Sequence, residues 1–251
     1  MKIKGELFIL KGFSRLKSIL FQLIFMLMIV SCENNKELTS RNIELAPFNK
    51  IVLNSTFDIS LNEGNSYGLE AYGDERLLQK LEFEIIDSTL FLGINSHLLW
   101  TMPENNVVQV QVNSMHLEEI KAEETSNIKT LTPITSETFR LLLLNKVSEA
   151  NLELNCNSFL YYNNFSSGGR LLLSGSVSNL KLQNFAIMSV DAKALLAKQA
   201  HVYNESQGDC IVNVLESLTY SIDGIGDIHL YGLPPAIEKL NTSSTGRLIV
   251  H

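Results

Sequence analysis

Cysteine, proline, tryptophan and turn glycine are all scarce: the 251 residues include three Cys, five Pro, one Trp and fourteen Gly. Three cysteines are too few for a disulfide scaffold. Cys156 and Cys210 lie in strand-like segments, where a free thiol packs as a small hydrophobe, and they are read as two separate buried thiols. So little Gly and Pro excludes a collagenous or linker-like chain. No Asn-Gly pair occurs and Asp223-Gly224 is the single Asp-Gly, which leaves tight β-hairpins with little support.

Reaction motifs are missing too. The chain has no Gly-x-Ser-x-Gly elbow, no P-loop and no dinucleotide fingerprint. The five histidines, His97, His116, His201, His229 and His251, are scattered without metal-ligand spacing. His229 sits between Ile228 and Leu230 and should point outward into solvent. Glu118-Glu119 and Glu123-Glu124 are adjacent carboxylates, which a strand turns to opposite faces rather than toward one substrate. Asp223-Gly224-Ile225-Gly226-Asp227 offers too few oxygen ligands for calcium and reads as a glycine-rich corner. Asp87-Ser88-Thr89 resembles an O-glycosylation acceptor and reads as a turn. No catalytic, cofactor or metal residue is assigned, and the protein is expected not to be an enzyme.

What is present begins at the amino terminus. Lys2, Lys4, Lys11, Arg15 and Lys17 face one acid, Glu6, and precede the apolar run Ile19–Val30, broken only by Gln22. That pattern is a signal peptide, since a spanning helix needs about 20 apolar residues. Ile29-Val30-Ser31-Cys32 resembles a bacterial lipobox, so cleavage is expected before a lipid-modified Cys32. Residues 1–31 are then the leader, residues 32–41 the lipidated Cys and a polar tether, and residues 42–251 a single domain. Loss of the leader moves the net charge from −7 to −11, fifteen Lys and Arg against twenty-six Asp and Glu. An acidic body argues against nucleic acid, and attachment to the membrane would come from the acyl chains.

The first part of the domain alternates apolar and polar residues as strands do: Ile51 and Leu53; Phe57, Ile59 and Leu61; Tyr67 to Ala71; Phe83 to Ile85; Leu90 to Leu92; Val108, Val110 and Val112. Asp74 to Leu81 predicts a helix of about two turns, capped by Asp74, with Leu77, Leu78 and Leu81 on one face. His97 to Asn106, with Trp100 and Pro103, reads as a loop.

From Leu141 to Leu230 short alternating segments return about every ten residues. The first inward residues are read as Leu141, Leu152, Leu160, Leu171, Leu180, Val190, Val202, Ile211, Tyr220 and Ile228, in steps of 8 to 12. The interruptions are Asn145, Glu149-Ala150-Asn151, Asn155-Cys156-Asn157-Ser158, Asn163-Asn164 and Ser176-Val177-Ser178-Asn179. Asn tolerates the left-handed region and bends a strand without reversing it. The fold class expected is therefore all-β, a parallel β-helix-like solenoid of short strands with two or three segments per coil. Its ladders should join residues about 20 to 30 apart. An antiparallel β-sandwich or barrel is the alternative.

Arg41-Asn42-Ile43-Glu44-Leu45-Ala46-Pro47-Phe48-Asn49-Lys50-Ile51 resembles the opening of the putative auto-transporter adhesin, head GIN domain family. Phe57-Asp58-Ile59-Ser60-Leu61, Leu77-Leu78 and Leu90-Phe91-Leu92 follow in the family's order. Gly226-Asp227-Ile228-His229-Leu230-Tyr231-Gly232-Leu233-Pro234, with Thr245-Gly246-Arg247 after it, resembles its closing motif. The resemblance spans about residues 41 to 250. It implies a right-handed parallel β-helix-like domain on an exported, lipid-anchored protein of Bacteroidetes-type bacteria, and brings no catalytic residues. Most of the family's Gly-Ser-Gly corners are replaced by Asn and Ser, with similar ones kept near Ser174-Gly175-Ser176 and Gly224-Ile225-Gly226.

Together these readings predict an envelope lipoprotein at the outer membrane or cell surface. It would be held by lipid on Cys32 and present a β-helical surface to a glycan or envelope-protein ligand, for adhesion or scaffolding. A polysaccharide-active β-helix enzyme and a barrel-like carrier of a small apolar ligand are the competing expectations.

Overall fold

The computed structural model describes residues 38–95 and 107–251. The leader, Cys32 and the segment around Trp100 lie outside the described residues.

Parallel ladders decide the architecture. β10 (Thr138–Leu143) pairs in parallel with β11 (Val147–Asn163), Leu141 opposite Tyr161, and β11 pairs in parallel with β12 (Gly168–Ser206), Tyr161 opposite Leu182. Beyond them β13 (Cys210–Ile222) carries β14 (Ile228–Tyr231) and β15 (Ala236–Thr242), and β14 carries β16 (Leu248–Val250), all parallel. The chain is a β-solenoid of about six turns, and the antiparallel sandwich or barrel is ruled out. Partners in successive coils lie from 17 residues (Leu196 opposite Asn213, at a bulge) to 22 (Ser126 opposite Ser148) apart. Two ten-residue segments therefore make one coil. The corners keep the backbone extended, so β12 runs for 39 residues.

Stacking places like on like inside. One interior column reads Leu90, Ile51, Ile120, Leu141, Tyr161 and Leu182 from rung to rung. Phe139 lies on Phe159 with ring centroids 5.8 Å apart. All eight are buried, and each aliphatic or Phe side chain removed from water contributes roughly 1.5–3 kcal/mol.

Two inward assignments need correction. Leu160 and Ile211 face outward, because Phe159 and Tyr161, and Cys210 and Val212, take the interior. Those segments are apolar on both faces, and larger or better-stacked neighbours win the inside.

Rung order departs from sequence order at the amino-terminal end. β2 (Lys50–Leu53) lies between β6 (Thr89–Ile94) and β8 (Glu119–Ala122). β3 (Phe57–Glu63) lies between β7 (Val108–Ser114) and β9 (Ser126–Thr130). The chain starts in the second rung, adds the first, and only then winds onward. Antiparallel strands close this end: β1 (Leu38–Glu44) on β4 (Gly68–Asp74), β4 on β7, and β5 (Leu81–Ile86) on β6. Residues 38–41, read as tether, thus belong to a ladder. The helix is also shorter than expected. α1 (Glu75–Leu78) is a single turn, capped by Asp74 accepting from the Arg76 amide and burying Leu77 and Leu78, while Leu81 already starts β5. Asp87 and Ser88 make the β5–β6 turn with φ of 48° and 61°, and no glycine is used.

A second interior column changes chemistry midway. Leu143 is followed one coil on by Asn163, and Asn184 and Asn204 continue the interior stack. All three asparagines are fully buried. Asn163 binds both the N–H and the C=O of Phe185, at 2.9 Å each. Asn184 donates to the Met188 carbonyl, and Asn204 to those of Gly208 and Gly226. Side-chain amides here satisfy corner backbone that water cannot reach.

The opposite end is open. β15 is exposed along nearly its whole length, and the residue that stacks on Tyr220 in the core register is Lys239.

A candidate binding face

The asparagine corner fixes what lies outside it. With Asn184 facing in and its neighbour gripped by Asn163, Phe185 is directed outward. There it meets Tyr162 (5.6 Å between centroids), Phe165 (4.5 Å) and Tyr203 (5.5 Å) from adjacent coils. Phe185 is buried beneath this group, while Phe165 is 67% exposed. Tyr203 donates to Glu205 Oε2 at 2.7 Å, and that bond, with burial and the nearby Asp223 carboxylate, pushes its phenol above the ordinary range. Asp223 accepts from Asn241 Nδ2 at 2.9 Å and from the Ser243 hydroxyl. Aromatic faces flanked by carboxylate acceptors can take a ligand with one apolar side and hydroxyl donors at its edges.

A different set of outward side chains meets near β14. His229 Nδ1 and His251 Nε2 are 2.9 Å apart. The His251 ring lies on Tyr231, 4.4 Å between centroids and 5° from parallel, and Lys193 Nζ is 4.1 Å from the Tyr231 ring centre. Asp209 Oδ2 is 3.7 Å from His229 Nε2. His229 points outward as expected, but it is paired rather than simply solvated. The two histidines are 22 residues apart, one coil; that spacing was the available signal, and ligand-spacing rules for short motifs do not register it.

Corner glycines and aspartates form their own ladder. A Cβ on Gly226 would lie 2.2 Å from the Gly208 carbonyl oxygen, and one on Gly246 would lie 2.5 Å from the Gly226 oxygen, so these corners stack too closely for a side chain. The Asp209 carboxylate accepts the Asp227 amide at 2.8 Å, and Asp227 accepts the Arg247 amide at 2.7 Å. Asp227 thus ties neighbouring coils together, and Asp223 does so through Oδ1 alone, in keeping with a structural corner.

The paired acids do not converge. Glu119 binds Arg140 at 2.9 Å and Glu123 binds Lys121, while Glu118 and Glu124 are exposed. Cys156 and Cys210 are free, buried thiols, pushed by burial to about 11 and about 12. The interior is filled by side chains, and the described depressions, such as that lined by His116, Glu118, Glu137 and Arg140, are shallow and open to solvent.

Among the described residues, then, the chain is a parallel β-solenoid with a filled interior and side-chain ladders on its outside. Residues 47–234 match the family described as "Putative auto-transporter adhesin, head GIN domain", and the chain belongs to that family. It is similar in structure to a putative adhesin from Bacteroides fragilis (TM-score 0.78, 19% identity, 86% of this chain and 98% of that one). A putative adhesin from Parabacteroides distasonis (TM-score 0.56, 16%, 86% and 98%) and a putative lipid binding protein from the same organism (TM-score 0.54, 17%, 86% and 98%) share the fold. No curated protein matches the chain.

Proposed function

We propose that the protein is a non-enzymatic envelope lipoprotein, anchored through Cys32, that binds a glycan on the face built by Tyr162, Phe165, Phe185 and Tyr203. The adhesin family supports a binding role at the cell envelope or surface. The observation that carries the ligand reading is Phe165: an aromatic ring 67% exposed, held by Phe185 beside two tyrosines and next to the Glu205 and Asp223 acceptors. Exposing such a ring costs solvation, and here the ring does not support the interior. Sugar rings present C–H faces to aromatics and hydroxyls to carboxylates. Lipid on Cys32, with the leader removed, would leave an acidic domain projecting from the membrane, fifteen Lys and Arg against twenty-six Asp and Glu, a net charge of −11.

A glycan array probed with the purified domain tests the ligand. Binding that falls at least tenfold in Phe165→Ala and Tyr203→Ala supports the reading, whereas binding unchanged by both, or none at all, overturns it. Labelling of cells with a palmitate analogue, lost in Cys32→Ala, tests the anchor separately.

A further inference from the structure

We infer that the occupant of the aromatic face is an amine-bearing glycan, with a protonated amino group seated between Glu205 and Asp223; this rests on the glycan reading of that face. Unbalanced charge is what points to it. Asn204 stands opposite Ile222 in the β12–β13 ladder, and the Asp223 amide donates to the Asn204 carbonyl at 2.9 Å. Glu205 and Asp223, the next positions, therefore lie one above the other in adjacent coils. Like charges stacked across strands repel. Elsewhere stacked carboxylates meet cations: Glu119 binds Arg140 at 2.9 Å and Asp191 binds Arg170 at 3.2 Å. Among the described residues neither Glu205 nor Asp223 forms an ion pair.

Their donors are neutral. Tyr203 donates to Glu205 Oε2, while Asn241 and Ser243 share Asp223 Oδ1. These bonds hold the carboxylates in place and leave their charge uncompensated. The bond to Glu205, burial and the charge of both carboxylates push the Tyr203 phenol above its ordinary range, so the negative field reaches the aromatic rings.

Position selects an amine over other cations. Ser221 is the residue opposite Tyr203 one coil on, so the aromatic row ends at Tyr203 and the carboxylates follow it directly. A group bound there meets a ring face on one side and two acceptors on the other. An ammonium carries three N–H donors and is drawn to aromatic faces. A divalent metal wants more oxygen ligands than two residues supply, and among the described residues no group of three His, Cys, Asp or Glu could hold one. From Tyr162 through Phe185 and Tyr203 to Asp223 the row crosses three coil steps. That is about 14 Å at the usual spacing of paired strands, long enough for several sugar rings rather than one.

Calorimetry with a chitosan hexamer and its fully N-acetylated counterpart tests the inference, at about pH 6, below the ordinary range of an amine. The two share ring, linkage and length and differ in charge. Expected is at least tenfold tighter binding of the amine form, with the difference lost at molar salt. The double variant Glu205→Gln, Asp223→Asn should abolish that preference and leave binding of the N-acetylated form, carried by Phe165, unchanged. Both substitutions keep an acceptor oxygen for the neighbouring donors, and unchanged thermal melting confirms the fold. Equal binding of the two forms, a preference that survives the double variant, or displacement by hexalysine at equal concentration overturns the inference. If the N-acetylated form binds and the amine adds nothing, this inference alone fails. Binding of neither form overturns it too, and the glycan reading falls with it only if the array is also blank.

Discussion

The Asn184 side-chain amide donates to Asn204 Oδ1 at 3.1 Å inside the solenoid, where both residues are fully buried. A column of leucines has become a column of amides because the corner next to it, from Phe185 to Gly208, has backbone groups that only the interior can reach.

Asn204→Ala should therefore cost about 2–4 kcal/mol, combining a cavity with unsatisfied carbonyls at Gly208 and Gly226 and a lost acceptor for Asn184. Urea unfolding checks it, with a lower midpoint and unchanged slope. Exposed Asn157→Ala, which loses a bond to Glu137, should cost no more than about 0.5 kcal/mol.

Tyr161 makes the opposite case. Its ring fills the core between Leu141 and Leu182, but its hydroxyl is buried with no hydrogen-bond partner among the described residues. Burial holds the phenol well above its ordinary range. Tyr161→Phe keeps the ring and removes the orphaned group, and should raise stability by about 1 kcal/mol in the same urea experiment.

The thiols give a pH dependence. Cys156 and Cys210 are raised by burial from 9.0 to about 11 and about 12. Between those values and 9.0 the unfolded chain loses thiol protons that the folded chain keeps, so stability is intact below pH 9 and declines from pH 9 toward 12. Cys210→Ala should flatten that decline in thermal melts recorded across the range. At neutral pH native thiols should react with a disulfide reagent far more slowly than unfolded ones.

Lys239 stands on the last rung among the described residues. It occupies the core register above Tyr220 on β15, which begins directly after Pro234-Pro235 and among the described residues pairs only with β13. A charge in an inward position discourages edge-to-edge pairing. Lys239→Ile should increase self-association, seen as faster-sedimenting species at equal concentration.

The coil period could be read from Leu141 to Leu230 because inward residues recur wherever the backbone merely bends at Asn or Ser. It failed locally at Leu160 and Ile211, where both strand faces are apolar and packing chooses between them. The asparagine column was half legible: Asn163 marked a corner, but an amide pointing into a core looks, in sequence, like any polar turn residue. Asn184 and Asn204 gave no hint of it. The amino-terminal rungs were misordered by any linear reading, since β2 pairs with β6 and β8, 39 and 69 residues away. Of the binding face, Tyr162 and Tyr203 sit in readable strands, but their meeting at Phe185 depends on register to the residue. Cys32, the site residue that sequence did name, lies outside the described residues.

The 17-to-22-residue register also limits how this chain can change in length. Removing one ten-residue side would slide each later segment onto the wrong face, set Asn184 over a strand middle, and part Asp209 from the Asp227 amide. Removing a whole coil would leave every remaining rung on a compatible neighbour. Growth and loss are quantised in full turns, so the length of the solenoid can be altered in steps while the corner chemistry stays the same.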